Sequence, residues 1–315
     1  MRYLVTGASG FAGRVLTRQL VQAGHQVTGM VRRGGTLEIP GAEEAIADLR
    51  HEATVRAVIK KVAPEGIFHL AAPETSVGHS WQEPENAIEA NHRTTVSLLG
   101  AARSLTTRPK ILFVSSAEVL GSVSEAELPQ GEDLPPHPEN PYALSKTLDE
   151  SVCRFYDEHF DVPVSIVRSF TYIGPGQRPQ FVVARFASEI AKLERTGGGT
   201  LQVGNLTARR DFSDVRDMAA AYVAVMEKGQ RGETYHAGSG TDCSISELLE
   251  HLRGLSTATI EAVVDPALHR PTDIPVMRCD NRKLRNLGWQ PTIKIIQTLQ
   301  EALDEARATL NAEES

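Results

Sequence analysis

Residues 6–13 read TGASGFAG and follow the apolar run RYLV. Gly7, Gly10 and Gly13 stand between a strand-like segment and an amphipathic stretch over 11–23, with Ser9, Phe11 and Ala12 between the glycines. Glycines so spaced let the backbone turn tightly and approach a pyrophosphate, which then rests on N–H groups at a helix start. A glycine trio also occurs in ordinary turns. Its place after the first strand and before a helix makes it a dinucleotide-binding signal. No Gly-Lys-Ser/Thr follows, so it is not a P-loop, and no Gly-x-Ser-x-Gly marks a hydrolase elbow.

Outward from this turn, short apolar runs alternate with longer amphipathic ones. HQVTGMV (25–31) and GIFHLAA (66–72) are followed by a helical run over 85–104, then by KILFVSS (110–116), a helix over 141–159 and VPVSIVRS (162–169). Near-continuous apolar strands between helices predict an α/β fold, a doubly wound Rossmann-type parallel sheet covered on both faces. After Ser169 the rhythm loosens into turn-rich IGPGQRPQ, a helix over FVVARFASEIAKLE, and CSISELLEHL, where Ser244 and Glu247 form a capping box. The expected organisation is a dinucleotide-binding domain over 1–168, with part of 212–240 returning to it, and a smaller C-terminal substrate-binding lobe over 169–315.

Bulk properties narrow the function classes. The chain has 315 residues with 33 Lys+Arg against 40 Asp+Glu, a formal charge of −7. That leaves no basic excess to displace counterions from a nucleic acid. Arg282, Lys283 and Arg285 read as a solvated helix face. Cys153, Cys243 and Cys279 lie far apart and make neither a CxxC pair nor a disulfide framework. No apolar run approaches the ~20 residues of a membrane span, and a first strand from Arg2 leaves no room for a signal peptide. A soluble cytoplasmic protein is expected, without a metal site.

Two further segments carry chemistry. Where an acidic residue would hold an adenosine ribose, the second strand ends in Met30, Val31, Arg32 and Arg33. Two arginines suit a 2′-phosphate and favour NADPH, with NADH left open; two solvated loop arginines would read the same. In ENPYALSK (139–146), Asn140 and Pro141 look like a cap and first helical position, placing Tyr142 and Lys146 a turn apart on one face. An ammonium there favours phenolate over phenol and equips Tyr142 for proton transfer.

TGASGFAG, FHLAA, SSAEVLG (115–121) and YALSK together resemble the extended short-chain dehydrogenase/reductase superfamily, whose members act on nucleotide sugars. The resemblance implies a catalytic triad of Ser116, Tyr142 and Lys146, with Lys146 also on the nicotinamide ribose. It implies Asp48 and Leu49 beside the adenine, Leu70, Ala71 and Ala72 along the cofactor, and Asn91 as a structural Asn. RSFTYIGPGQRPQFV, RFASEIAKLE and VGNLTARRDFSDVRD resemble the GDP-4-keto-6-deoxy-D-mannose reductases. That likeness implies reduction of a GDP-4-keto-6-deoxyhexose to GDP-D-rhamnose. Arg210 and Arg270 would clamp the diphosphate, and Ser76, Thr171, Arg185 and Asn205 would line the substrate site. LGWQP (287–291) reads as structural, and a homodimer through the helices that begin near Pro84 and Pro141 is implied.

Departures and alternatives remain at this stage. Leu120, Thr171 and the loop APETSVG (72–78) differ from the family pattern and are expected near the sugar. Glu118 reads either as an ordering residue or as a catalytic base. An NDP-sugar 4,6-dehydratase or 4-epimerase would keep a tightly bound NAD(P); for the dehydratase, whose water loss needs a further acid and base, the resemblance implies them at the positions of Ala117 and Glu118, and alanine gives no proton. A non-catalytic dinucleotide-binding protein would share the glycines, although such proteins often lose the Tyr-Lys pair.

Overall fold

The computed structural model describes residues 1–73, 77–269 and 273–313. In chain order the first part contains β1 (Arg2–Thr6), α1 (Phe11–Gln22), β2 (Gln26–Val31), β3 (Ala42–Ile46), α2 (Glu52–Val62), β4 (Gly66–His69), α3 (Val77–Ser80), α4 (Pro84–Arg103), β5 (Lys110–Ser116), α5 (Pro141–Phe160) and β6 (Val164–Ser169). There follow β7 (Thr171–Ile173), α6 (Val182–Arg195), β8 (Gly198–Val203), β9 (Arg209–Asp214), α7 (Val215–Lys228), β10 (Thr234–Ala237), β11 (Asp242–Ser244), α8 (Ile245–Leu255), β12 (Thr259–Val264), β13 (Val276–Met277), α9 (Arg282–Arg285) and α10 (Ile295–Glu313).

The large sheet has seven strands in the order β10-β6-β5-β4-β1-β2-β3, every neighbouring pair parallel. Its strands alternate between two cores. On β1, Tyr3 and Val5 face α1 and α7 with Leu16, Leu20 and Tyr222, while Leu4 faces α2, α4 and α5 with Ile59, Leu98 and Cys153. Leu112 and Val114 of β5 point to the first core, Ile111 and Phe113 to the second. Residues one apart thus serve opposite faces, which is why the strands read as continuous apolar runs. Strand order reverses between β1 and β4, the place where open α/β sheets bind ligands at their carboxyl ends.

The remaining elements build a third core. α6, α8 and α10 enclose Phe186, Ile190, Leu248, Leu252, Leu299 and Leu303 beside a parallel β8–β12 pair and a small sheet centred on β9. The capping box at Ser244 and Glu247 forms as the spacing predicts. α7 and β10 return to the large sheet. The LGWQP segment is tied to α7, because Trp289 Nε1 donates to the Asp217 carbonyl at 2.9 Å and the Asp217 carboxylate accepts from Thr292 and Ile293. The expected solvated face of α9 holds for Arg282 but not for Lys283. Its ammonium bonds the Glu233 carboxylate and the Thr234 carbonyl, pinning the start of β10.

One buried ion pair joins α5 to the sheet. Glu150 accepts two bonds from Arg168 of β6, both 2.9 Å, one from Ser115 at 2.7 Å and one from Arg154. Burial pushes the Glu150 carboxyl up, but the bonds and charge of Arg168 outweigh it and hold the group below its ordinary 4.5. A depressed folded value means this stabilisation is present above about pH 4.5 and is lost as pH falls through the folded pKa. Glu150→Gln would leave the Arg168 charge uncompensated, so urea denaturation at neutral pH should show a loss of roughly 3–5 kcal/mol, shrinking as the medium is acidified.

Candidate active site

A cleft of about 1460 Å³ runs along the carboxyl ends of the strands, between the large sheet and the third core. The TGASGFAG turn forms one wall. Gly7 has φ of +71°, and a Cβ there would stand 3.0 Å from the backbone of Ala71; a Cβ on Gly13 would stand 2.1 Å from the Gly7 carbonyl oxygen. α1 starts at Gly10 with no side-chain cap on its first N–H groups. This cradle fits a pyrophosphate resting on main-chain N–H groups. Ser9, Gly10, Phe11 and Ala12 line it with the two glycines, and Leu70, Ala71 and Ala72 continue the wall after β4.

Arg32 and Arg33 are exposed on the same cleft. Their loop is held by a residue the sequence reading missed. The Glu44 carboxylate accepts from the N–H groups of Gly35, Thr36 and Leu37 at 2.8–2.9 Å, and Arg14 bonds the Thr36 carbonyl. The arginines are thus presented on an anchored turn, in a place that suits a ribose 2′-phosphate. Asp48 and Leu49 follow β3 on this wall. The bidentate grip of Arg50 holds Asp48 at about 2.

The central part brings β5 and α5 together. Ser116 ends β5, and its Oγ accepts from Glu118 N at 3.2 Å. α5 begins at the Asn140 cap, whose Oδ1 accepts from Ala143 N at 2.8 Å, with Pro141 first in the helix. Tyr142 and Lys146 then lie a turn apart, and both line the cleft with Ser116 and Glu118. Lys146 is buried and donates to the Val114 carbonyl at 2.9 Å. Desolvation pushes its pKa down, opposed by the charge of Asp149. Tyr142 is fixed from outside, its backbone N–H donating to Ser80 Oγ of α3 at 3.3 Å. Asn91 donates to Ser145 Oγ at 3.0 Å, tying α4 to α5.

Below this floor lies His69, buried between Thr6 Oγ1 at 2.8 Å and Thr95 Oγ1 at 3.3 Å. Burial, with the Lys146 charge, pushes it down to about 3, so it stays a neutral imidazole. Phe11 stacks on Tyr172 with centroids 6.0 Å apart. Burial pushes the Tyr172 hydroxyl up and the Tyr222 hydroxyl well up, the latter bonded to Ser169 at 2.8 Å. Neither tyrosine was singled out from sequence.

At the far end, Thr171, Arg185, Asn205 and Arg210 all line the cleft. Asp273, another residue sequence reasoning missed, organises two of them. Its Oδ2 accepts from Asn205 at 2.7 Å and its Oδ1 from Arg210 at 2.7 Å, while Arg210 also donates to the Ile274 carbonyl. The acidic residue within HRPTDIP was the available signal. Ser76 and Arg270, and residues 74–76 of the APETSVG departure, lie outside the described residues. Leu120 corrects the expectation. It is buried with Val119, Phe170 and Met277 behind the site and does not line the cleft. An apolar side chain lowers its free energy by packing there, so Leu120 says nothing of the sugar. All three cysteines are free, no helix among the described residues is long and apolar enough to cross a membrane, and none of those residues form a cluster that could hold a metal ion.

The family described as GDP-mannose 4,6 dehydratase matches residues 4–302. The chain is 33% identical to the GDP-6-deoxy-D-mannose reductase of Pseudomonas aeruginosa, covering 99% of each chain. It is 30% identical to the UDP-glucose 4-epimerase of Mycolicibacterium smegmatis, covering 96% of this chain and 98% of the relative. Among solved structures, RMD from Pseudomonas aeruginosa complexed with NADPH is similar with a TM-score of 0.85 at 32% identity, over 98% of this chain and 99% of that one. A UDP-glucose 4-epimerase from Thermotoga maritima, with UDP-glucose, has a TM-score of 0.90 at 25% identity, over 98% and 100%.

The Asp273 arrangement gives a test of the far end. Asp273→Ala removes the acceptor shared by Asn205 and Arg210 and should cost about 2 kcal/mol in denaturation. Ligand binding at that end should weaken while dinucleotide affinity, measured by fluorescence titration, stays unchanged.

Proposed function

The chain belongs to the GDP-mannose 4,6-dehydratase family of extended short-chain dehydrogenases/reductases, and from that premise we propose that it reduces the 4-keto group of a GDP-4-keto-6-deoxyhexose with NADPH, giving GDP-D-rhamnose. NADPH, when bound along the TGASGFAG wall, supplies the hydride that C4 receives. Tyr142 gives the proton that O4 takes up, and Ser116 donates a hydrogen bond to the same oxygen as its charge develops. Lys146 stabilises the tyrosinate left behind, which solvent reprotonates. Arg32 and Arg33 take the 2′-phosphate, Asp48 and Leu49 the adenine side, and Arg185, Asn205 and Arg210 the nucleotide-sugar side.

The observation that carries reduction over dehydration is the side-chain set behind Ser116. Loss of water needs an acid for the leaving hydroxyl, and the next position is Ala117, buried on the cleft floor. The following carboxylate, Glu118, already accepts from Asn140 at 2.9 Å. With full-length similarity to a GDP-6-deoxy-D-mannose reductase, this set favours keto reduction. The deciding assay generates GDP-4-keto-6-deoxymannose in situ, follows NADPH oxidation and identifies the sugar formed. Stoichiometric oxidation with GDP-rhamnose is expected. No oxidation, together with water loss from GDP-mannose or another NDP-hexose without added cofactor, would overturn the reading in favour of a dehydratase. Tyr142→Phe should lower turnover by about 10²–10⁴-fold and spare NADPH binding.

The working form we propose is a homodimer, with the cytoplasm as its compartment. On α5, Leu144, Leu148 and Phe155 are 40%, 40% and 50% exposed, and with half-buried Val152 they form one helical stripe beside α4. Sedimentation should give a dimer, and a Leu148→Glu/Phe155→Glu variant should sediment as a monomer; a monomeric parent protein would refute the dimer.

A further inference from the structure

Reduction at one sugar oxygen needs Ser116 and Tyr142 to converge, yet they arrive on separate elements, the end of β5 and the start of α5. Glu118 is bonded toward both. Its backbone N–H donates to Ser116 Oγ at 3.2 Å, and its Oε2 accepts from Asn140 Nδ2 at 2.9 Å. Asn140 in turn caps α5 through Oδ1 on Ala143 N at 2.8 Å. Tyr142 lies between the cap and the N–H it satisfies.

We propose that Glu118 is a positioning residue that sets Ser116 and Tyr142 against each other by gripping the Asn140 cap, and that it exchanges no proton with the substrate. This rests on the keto-reduction reading above. The chemistry of the amide drives the arrangement. With Oδ1 committed to the helix, the Asn140 NH₂ faces the other way and needs an acceptor, which a carboxylate supplies as a charge-assisted bond. The grip keeps the amide from rotating off Ala143, so the first turn of α5 stays closed around Tyr142. On the other side, the Glu118 N–H occupies one lone pair of Ser116 Oγ, which leaves the serine proton to be donated to the sugar oxygen. One residue thereby orients one catalytic hydroxyl directly and places the other through a cap.

The test separates a hydrogen-bond acceptor from a proton carrier. E118A should lower kcat by roughly ten- to hundredfold, with KM for NADPH and for the keto sugar within about threefold. E118Q keeps an acceptor for Asn140 and should retain kcat within about threefold. N140D sets carboxylate against carboxylate and should impair turnover, whereas in E118Q/N140D the new glutamine amide donates to the new aspartate and should restore it. A proton carrier predicts that E118Q is as impaired as E118A and that the double variant is no better than N140D; that pattern would overturn the proposal. Hydrogen exchange at the Ala143 amide reads the cap without turnover and should accelerate in E118A but not in E118Q. If the parent protein fails to oxidise NADPH with the keto sugar, the keto-reduction reading falls alone. Unchanged Ala143 exchange in E118A would then overturn the positioning role by itself.

Discussion

Glu150 on α5 is bound by the guanidinium of Arg168 on β6 and by the hydroxyl of Ser115 on β5, and the chemistry of the cleft is positioned outward from that buried contact. The same helix is held at three other depths. Asn140 caps its start, Lys146 reaches the Val114 carbonyl, and Asp157 accepts from Val164 N at 2.9 Å. Lys146, Glu150 and Asp157, spaced by four and seven residues, lie near one helical face. A helix tied so often to two adjacent strands cannot rotate without breaking buried bonds. Tyr142 therefore occupies one place relative to the end of β5, as the proposed proton transfer would require.

The dinucleotide wall and the far wall are built on different terms. The first depends on backbone: Gly7 and Gly13 leave no room for a Cβ, and Glu44 and Arg14 hold the loop of Arg32 and Arg33 by main-chain bonds. The far wall depends on side chains, with Asp273 fixing Asn205 and Arg210. Backbone recognition accepts a ligand common to a superfamily, whereas side-chain recognition varies with the sugar nucleotide. The Glu305 carboxylate of α10 also braces this frame, accepting from the Gly176 N–H in the turn beside Phe11.

Much of this was legible in the sequence, and for definite reasons. TGASGFAG, the apolar strands and ENPYALSK each carry local chemistry: glycines that a turn demands, a period that a two-faced sheet demands, and a cap that a helix start demands. Glu44, Asp273, Tyr172 and Tyr222 escaped because their partners are distant in the chain or because nothing local marks them. Asp273 is 63 residues from Arg210. Leu120 misled in the opposite sense. It departs from the family pattern near Ser116, but on the 3₁₀ turn over 117–120 its side chain points into the core behind the site. Proximity in sequence does not decide which face of a turn a side chain serves.

The charges around Lys146 complete the logic of the site. Burial alone would drive the lysine toward its neutral form, and Asp149 and Glu150 on the same helix oppose that. Glu150 is already committed to Arg168, and the two Asp149 carboxylate oxygens are bonded to Thr95 and His92. The acids therefore support the ammonium without carrying unsatisfied charge into the cleft. His69 lies close enough for Lys146 to depress it, and its burial keeps it uncharged. His69 therefore adds no second positive charge beside Lys146. In the reduction proposed above, a positive Lys146 would match the one negative charge that passes from sugar oxygen to tyrosine oxygen, and a second cation in the same low-dielectric space would destabilise it.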